Sequence, residues 1–326
     1  MSELALAAYA AETGSHVVHA PRDPRFRAFT RRFDEQAFLG RVTEAGVRWL
    51  SRTDPQFPPL LRSIHDPPPG LFLRGSADPE LLRRPAVAVV GARSCSPYGA
   101  QVARMIGREL AAAGLVVVSG LARGIDGEAH RGALEAGGHT VGVLGCGPDR
   151  DYPASHAQLA ARIRESGLVV AEYAPGVEPA PWRFPARNRI IAGLSAATVV
   201  VEARDRSGAL ITADLALEEG REVFAVPGEI TSALSSGTND LLRLGATPLT
   251  SSKEVLDLFG LEGVTDSAPD LGAEAEAVLG RVRDSPSSAD AIVRVTGLDA
   301  AAVATALTEL ELAGLVHQAE GLYRPD

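Results

Sequence analysis

Residues 86–120 read AVAVVGARSCSPYGAQVARMIGRELAAAGLVVVSG. A run of small and β-branched residues ends at Gly91, a stretch with helical apolar spacing fills 98–113, and a second run, LVVVSG, closes the segment at 115–120. Short apolar runs that end in glycine suit strands buried on both faces, and a helix between them makes the strands parallel. The same alternation continues. TVGVLG (140–145), LVVAEY (168–173), ATVVVEA (197–203) and EVFAVPG (222–228) are further strand-like runs. Helical spacing occupies about 125–137, 155–166, 187–194 and 208–219.

This pattern predicts an α/β fold: an extended Rossmann-like, doubly wound, mainly parallel sheet. Upstream, WLSRTDPQFPPLLRSIHDPPPGLFLRG (49–75) reads as strand, proline-broken turn and strand, so the main domain is expected to span 37–260. Residues 1–36 suggest a short helical segment, an Ala-rich helix followed by an Arg-rich amphipathic stretch. LEGVTDSAPDLG (261–272) is a polar Gly/Pro-containing linker. Beyond it, three helices led by Ser, Asp or a similar cap, then a short hairpin, predict a winged-helix-like module over 273–326.

Composition narrows the chemistry. A chain of 326 residues, 45% hydrophobic and 22% charged, is an ordinary soluble globular sequence. Its start lacks the basic and apolar regions of a secretory signal, and no apolar stretch is long enough to span a bilayer, so the cytoplasm is the expected location. Residues 251–326 hold five basic residues against 14 acidic ones, which accounts for the whole net charge of −9 and leaves residues 1–250 balanced. An acidic total therefore does not exclude a polyanionic partner, because the local field decides. Lys253 is the one lysine, with no glycine loop before it, which excludes a Walker A phosphate loop and a catalytic lysine in the body. Cys95 and Cys146 provide neither a disulfide framework nor a zinc ligand set, and no metal or cofactor is expected.

In an open parallel sheet, ligands bind beyond the carboxyl ends of the strands. Here those ends carry GARSCSPYG (91–99), SGLARGIDGEAH (119–130), GCGPDRDYP (145–153), a segment closing in RFPARNR (183–189), RDRSGALIT (204–212) and GEITSALSSGTND (228–240). Glycines permit close backbone approach, helix N-termini present free N–H groups, and arginine forks grip phosphate. Glycine after a strand is common simply to make the turn, but six such loops carrying Arg93, Arg123, Arg187, Arg189 and Arg206 favour a polyphosphate or nucleic-acid site. Trp182 and Phe184 flank Arg183 in a chain that is only 5% aromatic. Aromatic rings beside arginines form the stacking platform used for single strands. Phe184 has two readings, a base platform or a ring packing its loop onto the sheet.

Other chemistries fit less well. GCGPDR (145–150) lacks the third glycine and the acidic ribose partner of a dinucleotide fingerprint. Asp126 and His130 lie four apart, on one helix face near Ser119, and are expected to pair with each other and brace the helix rather than form a triad. Ser207 lacks a nucleophile-elbow sequence. Glu172 and Glu202, at strand ends, are a candidate carboxylate pair of unfixed separation.

Seven segments in one order carry a resemblance: FPPLLRSIHDPPPGLFLRG, VAVVGARSCSPYG, VVSGLARGIDGEAHRGAL, TVGVLGCGPDRDYP, FPARNRIIAGLS, VVVEARDRSGALITADLALEEGREVFAVPG and SGTNDLLRLGA. Over roughly 49–258 the chain resembles the DNA-processing protein A (DprA/Smf) family. The resemblance implies a non-enzymatic, dimeric protein that binds single-stranded DNA in natural transformation, protects it and helps load the RecA recombinase, with other competence or single-strand-binding proteins as further partners. Carried over, it makes Arg93, Arg187 and Arg189 phosphate contacts and Phe184 a base-stacking partner. The backbones of Ser119–Gly124 (Ser119, Gly120, Arg123 and Gly124 among them) and Ser207–Thr212 (with Gly208) would line the pocket, and Ser94 and Asn188 complete the set. Many relatives have Thr where Ala92 stands and Ser where Ala171 stands.

The C-terminal module resembles the family's winged helix, yet DAAAVATALTELELAG holds no Lys or Arg. Phosphate contacts dominate DNA affinity, so a protein-contact or regulatory role is expected there. The alternative function is a nucleotide phosphoribohydrolase-type enzyme, although the PGGxGTxxE run of those proteins is replaced here by PGEITSALSSGTND.

Overall fold

The computed structural model describes residues 2–14, 23–261, 271–319 and 321–325. The chain divides into two compact units, Met1–Gly263 and Val264–Asp326. The linker expected at 261–272 falls almost wholly outside the described residues.

The first unit begins with helices α1 (Glu3–Thr13), α2 (Phe26–Arg32) and α3 (Glu35–Glu44), followed by strand β1 (Arg48–Ser51), the short helix α4 (Pro59–Arg62) and β2 (Gly70–Arg74). Six strand–helix repeats follow: β3 (Ala86–Val90), α5 (Pro97–Ala112), β4 (Val116–Ser119), α6 (Ile125–Glu135), β5 (Thr140–Leu144), α7 (Ala157–Ser166), β6 (Leu168–Ala171), α8 (Arg183–Leu194), β7 (Ala197–Val200), α9 (Gly208–Glu218), β8 (Glu222–Ala225) and α10 (Ser236–Arg243). A two-residue strand, β9 (Thr247–Pro248), and α11 (Lys253–Leu258) complete it.

The nine strands form one sheet in the order β1-β2-β6-β5-β4-β3-β7-β8-β9. β1, β2 and β6 pair antiparallel and all other pairs are parallel. From β3 the chain winds outward through β4, β5 and β6, then returns to lay β7 against the other side of β3 and winds outward again. The register there is Val87 opposite Ala197 through Val90 opposite Val200. The fold is the expected mainly parallel α/β sheet, and the order reverses between β3 and β7.

Strand period two explains the continuous apolar runs. Ala86, Ala88 and Val90 point into one core with Ile190, Ile191 and Ala213, on the α8–α9 side. Val87 and Val89 point into the other with Ile106, Leu110, Ile125 and Ala129, on the α5–α6 side. On that second side α5 and α6 touch backbone to backbone: a Cβ on Gly132 would lie 1.9 Å from the Arg104 carbonyl, and one on Gly107 would lie 2.3 Å from that of Ala129.

α1 lies between two cores rather than on the surface. Ala5, Leu6, Tyr9 and Ala10 pack on Phe26 and Phe29, while Leu4 and Ala7 pack on Val42, Phe72 and Tyr173. An Ala-rich helix carries no strong stripe to announce two buried faces, so its place was not legible. Its first turn is tied to the strand after it, with Arg52 Nε donating to Glu3 Oε1 at 3.0 Å.

The second unit contains α12 (Ala273–Asp284), α13 (Ala289–Thr296), α14 (Ala300–Leu312) and the antiparallel hairpin β10 (Val316–Ala319) and β11 (Leu322–Pro325). Val278, Val282, Ile292, Val303, Leu307 and Leu310 form its own core. Ser288 and Asp299 cap α13 and α14 through Ala291 N and Ala302 N, as their sequence suggests. α12 begins instead at Gly272, with no side-chain cap.

The α5–α6 contact gives a direct test. Gly132→Ala places a methyl inside the Arg104 carbonyl, an overpacking that should cost about 1–3 kcal/mol, read as a lower urea midpoint. A neutral or stabilising effect would contradict this helix contact.

Candidate nucleic-acid interface

At a point where strand order reverses, the two neighbouring loops diverge and leave a crevice. Here the loops after β3 and β7 part in this way, and a cavity of about 220 Å³ opens between them. Val90, Gly91 and Arg93 line it from the β3 side, and Ser207, Gly208, Ala209 and Thr212 from the β7 side. Asp126 of α6 and Phe184, Arg187 and Asn188 of α8 complete the wall. A second cavity of about 150 Å³ adjoins it, lined by Gly120, Arg123, Gly145, Tyr152 and Pro153. Arg93, Ala122, Phe184 and Arg187 border both.

Phe184 therefore stands between the two cavities. Its ring stacks on Tyr152 with centroids 5.2 Å apart and planes at 25°. The Arg93 guanidinium lies 5.4 Å from the Phe184 centroid, a cation–π distance. The ring is half-buried and Tyr152 is 39% exposed. The ring packs against the loop after β5, and it also lines open space. Trp182 separates from it. Its indole packs against Arg183, whose guanidinium is 5.0 Å from the ring, and edge-on to Tyr173.

The arginines divide into two groups. Arg93, Arg123 and Arg206 are exposed on three different strand-end loops. Arg187 is 5% exposed, and its Nη1 donates to the carbonyls of Gly120 (2.7 Å) and Val143, with Nε reaching Asn188 Oδ1. Burial pulls its pKa below the usual arginine value, while the nearby Asp126 carboxylate acts in the opposite direction. Arg189 is 8% exposed and bonded to Glu172 (2.5 Å) and Asp66 (3.0 Å).

Arg189 lines neither cavity, which corrects its expected place as a rim phosphate contact. The cause is where the helix starts. α8 begins at Arg183, with Pro185 accommodated in its first turn, so Arg187–Arg189 fall in the second turn and are buried. The sequence placed the helix start at 187, where its apolar periodicity begins. Proline at 185 hid the real first turn.

The remaining expected residues fall into clear places. Ser207 caps α9 by accepting from Ala209 N at 3.2 Å, and Asn188 Nδ2 donates to the Gly208 carbonyl at 3.1 Å, tying α8 to the start of α9. Thr212 is buried and bonds back to Gly208. Ser94 is exposed beside Arg93 but lines neither cavity. Ser119 is fully buried, its hydroxyl donating to the Val89 carbonyl at 2.6 Å, so it too leaves the pocket wall. Gly124 acts through its backbone. It sits at φ +74°, and a Cβ there would lie 2.2 Å from the Ala92 carbonyl. Leu121 and Arg206 adopt φ near +60°, a costly conformation for residues with side chains that is held where the surroundings over-determine it.

Asp126 and His130 do not pair, contrary to expectation. Asp126 Oδ2 accepts from Gly120 N (3.1 Å) and Ala122 N (3.3 Å), closing the SGLA turn on itself. His130 Nδ1 pairs with Thr140 Oγ1 at 2.6 Å, deep against β5. With Ser119 committed to Val89, no triad is assembled. Burial pushes the Asp126 carboxyl above its usual value, while Arg187 and the two backbone N–H groups favour the ionised form. Glu172 and Glu202 follow β6 and β7, four strand spacings apart, or about 19 Å. They are not a catalytic pair. Glu202 instead accepts from the Ser96 N–H at 2.9 Å at the start of α5. Burial pushes the Cys146 thiol up to about 11, and no cluster of metal-ligating side chains occurs among the described residues.

Comparison with known proteins places this geometry among relatives. The sequence model of the family described as DNA recombination-mediator protein A matches residues 48–260, and that of the DprA winged helix domain matches 264–321. A DNA processing protein DprA from Streptococcus pneumoniae is 48% identical over 210 residues, covering 64% of this chain and 73% of that protein. Protein Smf from Escherichia coli is 38% identical over 307 residues, covering 88% and 82%. Among solved structures, DprA from S. pneumoniae superposes with a TM-score of 0.67 at 38% identity, covering 78% of this chain and 92% of that one. DNA processing protein A from Helicobacter pylori, whose structure is described for its single-stranded DNA binding mode, gives a TM-score of 0.58 at 31% identity, covering 65% and 95%.

Burial of His130 has a consequence for pH. Desolvation lowers its pKa to about 3 from 6.5, so the unfolded chain binds a proton that the folded one refuses. That contribution to stability is intact above pH 6.5 and is lost progressively as pH falls toward 3. Replacing His130 by Gln should reduce the slope of unfolding free energy against pH between 4 and 5.5 by about 1.4 kcal/mol per pH unit. An unchanged slope would contradict a neutral, buried imidazole.

Proposed function

Because the chain belongs to the DNA recombination-mediator protein A family, we propose that it binds single-stranded DNA along the strand-end rim of its parallel sheet. The observation that carries this reading is the exposed Arg93 lying on Phe184, between two cavities at the switch point. Arg93, Arg123 and Arg206 supply phosphate contacts from three loops. Phe184, backed by Tyr152, supplies the stacking surface that single strands use without sequence preference.

In this reading the protein protects incoming single strands in natural transformation and hands them to the RecA recombinase. It acts in the cytoplasm as a homodimer, with other competence or single-strand-binding proteins as partners. These finer steps rest on the family resemblance. The role is binding rather than catalysis, supported by the separate engagements of Ser119, Asp126 and His130. No observation favours the phosphoribohydrolase alternative. No single helix among the described residues is long and apolar enough to cross a membrane. The exposed positions of α14 include Ala301, Ala304, Thr305, Thr308 and Glu309. That face carries no positive charge to neutralise a phosphate and favours a protein contact for the winged helix.

Titration of a fluorescent dT oligonucleotide across salt tests the reading. Affinity should fall by about 0.7 log unit per log unit of salt for each phosphate neutralised. Arg93→Ala and Arg123→Ala should each reduce that slope by about 0.7, and Phe184→Ala should cost about 1–3 kcal/mol of binding. Arg189→Leu should leave the slope unchanged and instead lower stability by about 3–5 kcal/mol, because it strands Glu172. Equal slope losses for Arg93 and Arg189 would overturn the assignment.

A further inference from the structure

We propose that His156 is a positioning residue for single-strand binding: its imidazole holds the loop after β4 so that Arg123 meets a phosphate beside the Phe184–Tyr152 stack. The inference rests on the single-strand reading above and adds to it a residue that touches no DNA.

His156 stands at the N-cap of α7, a position that favours a short side chain able to cap the helix, yet its imidazole makes no capping bond. The ring is instead buried, 7% exposed, with Nδ1 3.1 Å from the Leu121 carbonyl oxygen. A carbonyl only accepts, so Nδ1 carries the proton.

Leu121 needs such a partner, because it holds φ +58°, a left-handed conformation that is unfavourable for a residue with a side chain. Its side chain is buried with Leu144, Leu159 and Ile163, and Gly142 leaves room for it, since a Cβ there would lie 2.7 Å from Leu121 Cδ1. The peptide that follows is held from both sides. Asp126 accepts from its N–H, that of Ala122, at 3.3 Å, and His156 donates to its carbonyl.

Arg123 comes directly after this peptide. It is exposed and borders the cavity of about 150 Å³ together with Tyr152, Pro153 and Phe184. Tyr152 and His156 belong to one short segment, which therefore both builds the stack and aims the arginine. Without the imidazole the peptide is held on one side only. Leu121 can then relax, and Arg123 loses the fixed distance to the stack that adjacent base and phosphate contacts require.

The test uses the full chain and a fluorescent dT oligonucleotide titrated across salt, with urea unfolding measured alongside. His156→Leu keeps the bulk and removes the donor. It should reduce the salt slope by about 0.7, the loss expected for Arg123→Ala, and the two together should lose no more than either alone. His156→Asn, whose Nδ2 can stand where Nδ1 stands, should keep the wild-type slope. A residue that only supports the fold would lower the urea midpoint and leave the slope alone. A wild-type slope in His156→Leu, losses that add in the double variant, or a slope in His156→Asn as low as in His156→Leu would each overturn the inference and leave single-strand binding standing. Absence of wild-type binding would overturn both. Should His156→Leu fail to fold, Gly127→Ala takes its place with the same expected loss, because a Cβ there would lie 2.6 Å from His156 Cε1 and displaces the ring from the α6 side.

Discussion

The Arg187 guanidinium donates to the main-chain carbonyls of Gly120 and Val143, at the ends of two adjacent parallel strands, and to the side chain of the next residue. A buried cation of this kind is tolerated only when its donors are used and an opposite charge stands near. The carbonyls and Asp126 meet those conditions. Asp126 in turn holds the SGLA turn closed through two backbone N–H groups. The end of β4, the end of β5, the start of α6 and the second turn of α8 are thus fastened around one charge pair. The exposed Arg93 and Arg123 gain a fixed geometry because the residues beneath them are fixed.

This arrangement separates positioning from binding. Arg189, bonded to Glu172 and Asp66, ties α8 to β6 and to the loop before β2. Asn188 ties α8 to the start of α9. The RNR run is therefore the frame of the site more than its face. The face comes from loops with little secondary structure of their own, where Leu121 and Arg206 hold strained left-handed conformations. Strain in the loops after β4 and β7 is consistent with backbone held in place for a ligand rather than for stability alone.

Much of this was legible in the sequence. Two-faced burial of β3–β8 makes each strand a continuous apolar run, so the parallel sheet and its rim of loops could be read directly, as could the winged-helix caps at Ser288 and Asp299. What failed to show shares a cause, since each case depends on tertiary partners with no local signature. The apolar period of α8 starts at 187 because its first turn carries Phe184 and Pro185, which line the switch-point cavity. α1 is nearly all alanine and leucine, so its two buried faces leave no stripe. His130 and Asp126 share a helix face, yet Thr140 from β5 and the N–H groups of the preceding turn claim them first. Arginine counts pointed to the strand-end rim but could not distinguish a guanidinium that faces water from one bonded to carbonyls.

The central claim is that single-stranded DNA lies against Phe184 and Tyr152, between the switch-point cavity and its neighbour. Photo-crosslinking a 5-iodouracil-substituted single strand to the full chain, followed by peptide mass spectrometry, tests it most directly. The account predicts the adduct on Phe184 or Tyr152, lost when Phe184 is replaced by alanine and Tyr152 by leucine together. Adducts confined to residues 271–325, with none in 91–94, 145–153 or 182–189, would contradict it.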